Sequence, residues 1–201
     1  MATKSAKIYE AGNYHLITAK LQAGGEEYDT AFEWQGMMEF SATLTQTTNK
    51  VSADDDPAYL TMAGAITGTA ELKLAGISYS DYDKLFPVEK DSQQAILIGG
   101  DLPTVEFGLS FYTSEMKDGK TSINKISFPR CTATIPSKPT TSKAEDGSTI
   151  TEVTISITIN PYFYTDSDGT RKRVTETVIN SETHKTIWEA NKDKIYIPTV
   201  A

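Results

Sequence analysis

Apolar and polar residues alternate along this chain with a period of two in four long runs. Residues 38–46 set Met38, Phe40, Ala42 and Leu44 against Glu39, Ser41, Thr43 and Thr45. Residues 66–74 set Ile66, Ala70, Leu72 and Leu74 against Thr67, Thr69, Glu71 and Lys73. Residues 104–112 put Val105, Phe107, Leu109 and Phe111 on one side, and 152–160 do the same with Val153, Ile155, Ile157 and Ile159. Successive side chains of a strand point to opposite faces, so this period predicts half-buried strands, and β-branched residues on both faces favour the same state. One face builds a core; the other is polar but carries few charges. Asp118-Gly119, Asp146-Gly147 and Asp168-Gly169 flank such runs and suit the positive φ angles of tight hairpins. Between 123 and 135 the alternation slips at Pro129, which predicts a bulge or a change of sheet.

Helical signals are few. Ser80 to Phe86 opens on a capping serine and stops at Pro87, which predicts one or two turns. Ser181 to Lys192 has no internal Gly or Pro and predicts a second, longer helix. Two stretches read as long loops: 45–59, rich in Thr, Asn and Asp, and 136–149, which holds Pro136 and Pro139. Loops of that length in a compact domain are functional or disordered. The expectation is a single, mostly β domain over 1–201, with an N-terminal arm at about 1–15, a long loop at 45–59 and a C-terminal extension at about 161–201.

Composition narrows the function. The 201 residues suffice for one large β domain, and 38% hydrophobic residues suffice for its core. A net charge of −8 and a pI near 4.8 argue against a nucleic-acid grip, which needs a basic footprint. A single cysteine, Cys131, excludes an intrachain disulfide. Neither the opening residues nor any later run reads as a signal peptide or a membrane span, so the expectation is folding in a cytoplasm.

Candidate chemistry is sparse. His15 and His184 stand outside any spaced ligand motif, and Cys131 sits in an alternating run as a buried thiol would. Asp54-Asp55-Asp56 is acidic enough for a cation, yet three adjacent carboxylates in one loop rarely converge on one ion. Asp166-Ser167-Asp168-Gly169 starts like a calcium loop, but its Gly comes two positions early and Thr177 stands where a bidentate Glu belongs. Gly24-Gly25 and Gly99-Gly100 lack a phosphate-loop pattern. The expectation is no catalytic site, no cofactor and no obligatory metal.

The order of these features resembles the major tail protein family of siphophages infecting Gram-positive bacteria. Phe40-Ser41-Ala42-Thr43-Leu44 followed by Lys50-Val51-Ser52-Ala53-Asp54-Asp55 is similar to the family's strand and the acidic Ala-Asp-Asp loop after it. Gly68 to Leu74, Tyr79 to Phe86, Pro103 to Phe111 with Asp118-Gly119, Lys125 to Lys143, and Ile155 to Ile159 resemble the elements that follow. The resemblance spans about 36–160; each piece is short, and their order and spacing carry it.

The resemblance implies a tail tube fold: a β-sandwich or partial barrel with a short flanking helix, closing into a ring barrel when six copies join their sheets. It implies a structural virion protein whose stacked rings form the conduit for genome delivery, assembled in the host cytoplasm. The partners it implies are further copies of this chain, the tape measure protein, the tail terminator and distal tail proteins, with DNA passing through unbound. Residues 45–59 would then contact the next ring, with Lys50, Asp54, Asp55, Asp56 and Tyr59 as contact residues. Glu39 and Glu71 would line the lumen. A different reading is a carbohydrate-binding or adhesin-type β-sandwich, since ten Tyr and two Trp could supply a stacking platform. A β-fold hydrolase is the third, and its mark would be convergent acids or histidines.

Overall fold

A computed structural model describes residues 8–198 apart from 26, 54–55, 100, 118 and 137–151. Twelve strands dominate it: β1 Ile8–Lys20, β2 Phe32–Trp34, β3 Met37–Ala53, β4 Asp56–Leu74, β5 Glu89–Lys90, β6 Ile96–Leu97, β7 Glu106–Lys117, β8 Lys120–Ala133, β9 Val153–Ile159, β10 Tyr162–Thr165, β11 Arg171–Val174 and β12 Thr177–Asn180. Helix is confined to a 3-10 segment at Tyr79–Lys84 and to α1, Lys185–Asn191. The protein is mostly β, as the alternation predicts.

Eight strands form one antiparallel sheet in the order β2-β1-β7-β8-β9-β4-β3, with β12 added to β8. The sheet folds over on itself. Phe40 on β3, at one end of the order, lies 4.9 Å in ring centroids from Phe111 on β7 and 5.4 Å from Phe128 on β8. Between the layers Leu72, Leu74, Phe107, Leu109, Ile155 and Ile159 are fully buried, and Leu85 and Phe86 close one side. Strand β9 alternates without a fault: its odd residues enter this core and its even ones face out.

The slip at Pro129 is a bulge. Phe107 pairs with Cys131 and Leu109 with Phe128, so β8 spends an extra residue there. Proline cannot donate to a ladder, which suits this position. Here one edge of β8 also changes partner, from β12 along Asn124–Ser127 to β9 along Cys131–Ala133. The Pro129 carbonyl is not wasted, because the Tyr28 hydroxyl donates to it.

Four expectations need correction. Residues 45–59 are not a loop: β3 runs to Ala53 and β4 starts at Asp56, with Ala53 paired to Asp56. Cross-strand pairing satisfies the backbone of this polar stretch, and threonine suits a pleated surface. The proposed N-terminal arm is strand from Ile8 onward, paired with β7 from Ile8 against Lys117; residues 1–7 lie outside the described residues. Met38 does not enter the core. A register shift between Met37 and Glu39 turns Met37 inward and leaves Met38 56% exposed. The second helix is shorter than 181–192, because residues 181–184 form a turn ahead of it. The 136–149 stretch falls, from 137 on, outside the described residues.

The C-terminal extension has a clear place. It covers the outer face of β1, β7 and β8, so that β7 is buried on both sides. Ile195 packs with Ile17 and Ala19, and Trp188 stacks on Tyr112 at 5.0 Å. A Cβ at Gly108 would come within 2.7 Å of Ile195 and 2.9 Å of Tyr28, so β7 needs a glycine under this cover.

Candidate functional site

Three features bear on function: an arm, a polar face and a buried lysine. The arm is the distal half of the β3–β4 hairpin. Strand β9 pairs with β4 only from Gly68 to Leu74, so beyond Gly68 the two strands have only each other as sheet partners among the described residues. From Gln46 to Ala53 this is eight residues, or roughly 25 Å at strand rise. A two-stranded hairpin alone is marginal in water. Its root is fastened by Thr175, whose hydroxyl donates to the Ile66 carbonyl at 2.8 Å. A bulge opposes Thr47 to Gly64, where a Cβ would meet the Thr47 hydroxyl oxygen at 2.4 Å.

The even-numbered positions of β4 carry the core stripe out to Ile66, and the bulge between the Gln46–Ile66 and Thr48–Ala63 pairs then turns Met62 and Leu60, paired with Asn49 and Val51, to the opposite side of the arm. Leu74, Leu72 and Ala70 are buried, whereas Ile66, Met62 and Leu60 are 41%, 52% and 48% exposed. Apolar side chains thus stand half exposed on both sides of the arm, Ile66 on one and Met62 and Leu60 on the other. Sequence reasoning missed Leu60 and Met62 because it began the strand at Ile66; the Leu60-x-Met62-x-Gly64-x-Ile66 spacing was the available signal. Of the expected contact residues, Lys50 pairs with Thr61 in the arm, and Asp56 with Ala53 at its tip. Tyr59 lies on β4, and Asp54 and Asp55 lie outside the described residues.

The polar face is the outer side of β3, β4 and β9. Ser41 pairs with Glu71 and Glu71 with Ser156, while Thr43, Thr69 and Thr158 form the next row. These side chains line a shallow concavity of about 410 Å³. Glu39 and Glu71 both belong to this exposed face. Glu39 is not a free charge: the Lys73 ammonium donates to it at 2.7 Å and lies 3.8 Å from Glu152. The bond to Glu39 holds the Lys73 pKa above its ordinary value. The face thus carries three acids and one base in a field of hydroxyls.

The buried lysine is Lys125 on β8. Its ammonium donates to the carbonyls of Asn191, Lys192 and Lys194, the last two at 2.9 and 2.6 Å. These carbonyls lie at and just beyond the end of α1, where a cation is favoured; Asn191 also accepts from the Lys194 N–H and Lys192 from the Tyr112 hydroxyl. Burial nevertheless pushes the Lys125 pKa down to about 8, against the pull of Asp193.

The two histidines and the cysteine are locally occupied. The His15 ring lies 3.2 Å from Glu33 and 3.5 Å from Asp193 and stacks on Tyr112. His184 Nδ1 accepts from the Asn180 N–H within a turn. Cys131 is buried, and burial raises its thiol pKa. Among the described residues no three of His, Cys, Asp and Glu gather to hold a metal ion, and no helix is long and apolar enough to cross a membrane. Trp34 is buried, with its indole N–H donating to Thr18 at 2.8 Å, and Trp188 packs on Tyr112. The two therefore do not form a joint stacking platform.

Comparison with family models finds no match, and comparison with curated proteins finds none either.

Proposed function

We propose that this protein is a structural subunit that assembles with copies of itself, and that its assembly is the tail tube of a long-tailed bacteriophage: stacked hexameric rings around a conduit for DNA. It is not a catalyst. The observation that carries the reading is the arm, a long hairpin whose apolar side chains Ile66, Met62 and Leu60 are left half exposed among the described residues of a single copy. Exposed apolar side chains on an otherwise marginal hairpin call for a protein surface to pack against.

The sheet edges support the same reading. Among the described residues, the outer edge of β3 is unpaired along its length, and β1 ahead of its pairing with β2 has only β7. Long free edges are templates for further strands. Joining two different edges makes a heterologous contact, which yields a ring if the rotation closes and a filament if it does not. The hydroxyl-rich face of β3, β4 and β9 then becomes the inner wall, where few charges and a net acidic sign keep DNA from sticking.

The double variant Leu60→Ser/Met62→Ser tests the reading. Both side chains are about half exposed in the single copy, so the fold should be unchanged within about 0.5 kcal/mol. Completing their burial in an assembly is worth about 1 kcal/mol each, so the variant should need roughly thirtyfold more protein to assemble. Light scattering across a concentration series reads this directly. An unchanged threshold removes the arm from the assembly contact.

A further inference from the structure

A groove of roughly 1030 Å³ lies where the end of β1 meets the start of β7 and the β10–β11 hairpin. Its lining includes Lys20, Glu106, Arg130 and Arg171, with Tyr162 and Phe163 beside them. Glu106 is already used: the Arg130 guanidinium donates to one of its oxygens at 3.0 and 2.7 Å. Lys20 and Arg171 have no acidic partner among the described residues. The Arg171 guanidinium lies over Phe163, 4.2 Å from the ring centroid, a cation–π contact that favours this position. In a chain with 27 acidic and 19 basic residues, a concavity with two unpaired cations is the exception that needs an anionic partner.

We propose that this groove receives the acidic tip of the β3–β4 arm, Asp54-Asp55-Asp56, from a second copy of the chain. The inference rests on the reading of the arm as an assembly contact and names the surface that the arm meets. Charge complementarity is the first argument: the sequence that joins β3 to β4 holds three consecutive aspartates, opposite in sign to Lys20 and Arg171. Direction is the second. Following the antiparallel register from β3 through β4, β9 and β8 to β7, the arm tip points in the sense of the Lys117 end of β7. The groove sits at the other end of that strand, beside Glu106. Tip and receptor at opposite ends of one sheet allow each copy to give to the next and receive from the previous one without using up either surface. Duplex DNA fits less well, because a phosphate backbone calls for an extended basic track, and here two free cations flank a single concavity that also contains Glu106.

A charge swap in the full chain tests this. Lys20→Glu/Arg171→Glu should raise the concentration needed for assembly about tenfold or more, and Asp54→Lys/Asp55→Lys should do the same. The combined variant should return close to the wild-type threshold. A second readout keeps the native charges: mixing Ser52→Cys with Thr104→Cys chains should give an intermolecular disulfide under mild oxidation, since the native Cys131 is buried. If Lys20→Glu/Arg171→Glu assembles like wild type, or the swap restores nothing, the groove is not the receptor. If Leu60→Ser/Met62→Ser blocks assembly while the groove variants do not, the arm reading stands and this one falls. A groove variant that loses binding of a short DNA duplex with assembly unmoved makes the groove a phosphate site and overturns the proposal.

Discussion

Replacing Lys125 by Met removes the nitrogen that ties the C-terminal extension to the sheet while keeping a side chain of similar length in the core. Three carbonyls lose the ammonium, although Asn191 keeps the Lys194 N–H and Lys192 keeps the Tyr112 hydroxyl. Charge-assisted bonds are worth about 1.5–3 kcal/mol each, and three from one nitrogen sum to roughly 5 kcal/mol because they are not independent. Against this, Met carries no burial penalty. That penalty follows from the fall of the amine from 10.5 to about 8, which corresponds to about 3 kcal/mol. The net loss at pH 7 is then about 2 kcal/mol, concentrated in residues 185–195. Hydrogen exchange should show those amides opening in the variant while β7 and β9 keep their protection.

The pH dependence has a definite sign. Because the folded amine holds its proton less tightly than the unfolded one, the native state binds fewer protons between about pH 8 and 10.5. Stability from this group is therefore lowest below pH 8 and rises through that window. The gap between wild type and Lys125→Met should widen there by up to about 1.4 kcal/mol per pH unit. The charged groups facing this site are Asp193, with His15 beside it, and Glu189 and Glu33 around Tyr112. A gap that stays flat from pH 8 to 10.5, or a C-terminal segment equally protected in both proteins, refutes the reasoning.

Other outcomes follow from single sites. Glu39→Lys with Glu71→Lys turns a face of three acids and one base into one acid and three bases; assembly should persist, and DNA should be retained in a salt-sensitive way on a gel-shift assay, whereas unhindered genome ejection from particles carrying the variant would refute the lumen assignment. Gly68→Ala would bring a Cβ within 2.6 Å of the Thr43 carbonyl oxygen, and should cost about 1–3 kcal/mol in denaturant unfolding as β3 and β4 are forced apart at the root of the arm. Leu72→Ala, at a fully buried position, should cost about 2–5 kcal/mol by the same measurement.

What was legible in the sequence was whatever had a short period and a buried face. The 152–160 alternation maps residue for residue onto β9, and the slip at Pro129 onto a bulge where β8 changes partner. What failed to show was structure held by pairing alone. Residues 45–53 are polar on both faces, so no hydrophobic alternation marks them, and they are strand because β4 runs beside them. The bulge at 37–39 was equally invisible, since Met37 and Met38 offer the same chemistry to either register. Lys125 reads as a surface residue in sequence; only the carbonyls at the end of α1, 66 to 69 residues away, make its burial tolerable. Glu39 and Glu71 were placed on one polar face by parity alone, but the Lys73 that neutralises Glu39 comes from the neighbouring strand.

The proposed role of this chain is to build a hollow assembly with copies of itself. Negative-stain electron microscopy of the purified full-length protein over a concentration series tests it most directly. The account predicts rings with a central hole and sixfold symmetry, stacking into tubes as concentration rises. Particles that remain single, compact monomers up to the solubility limit would contradict it.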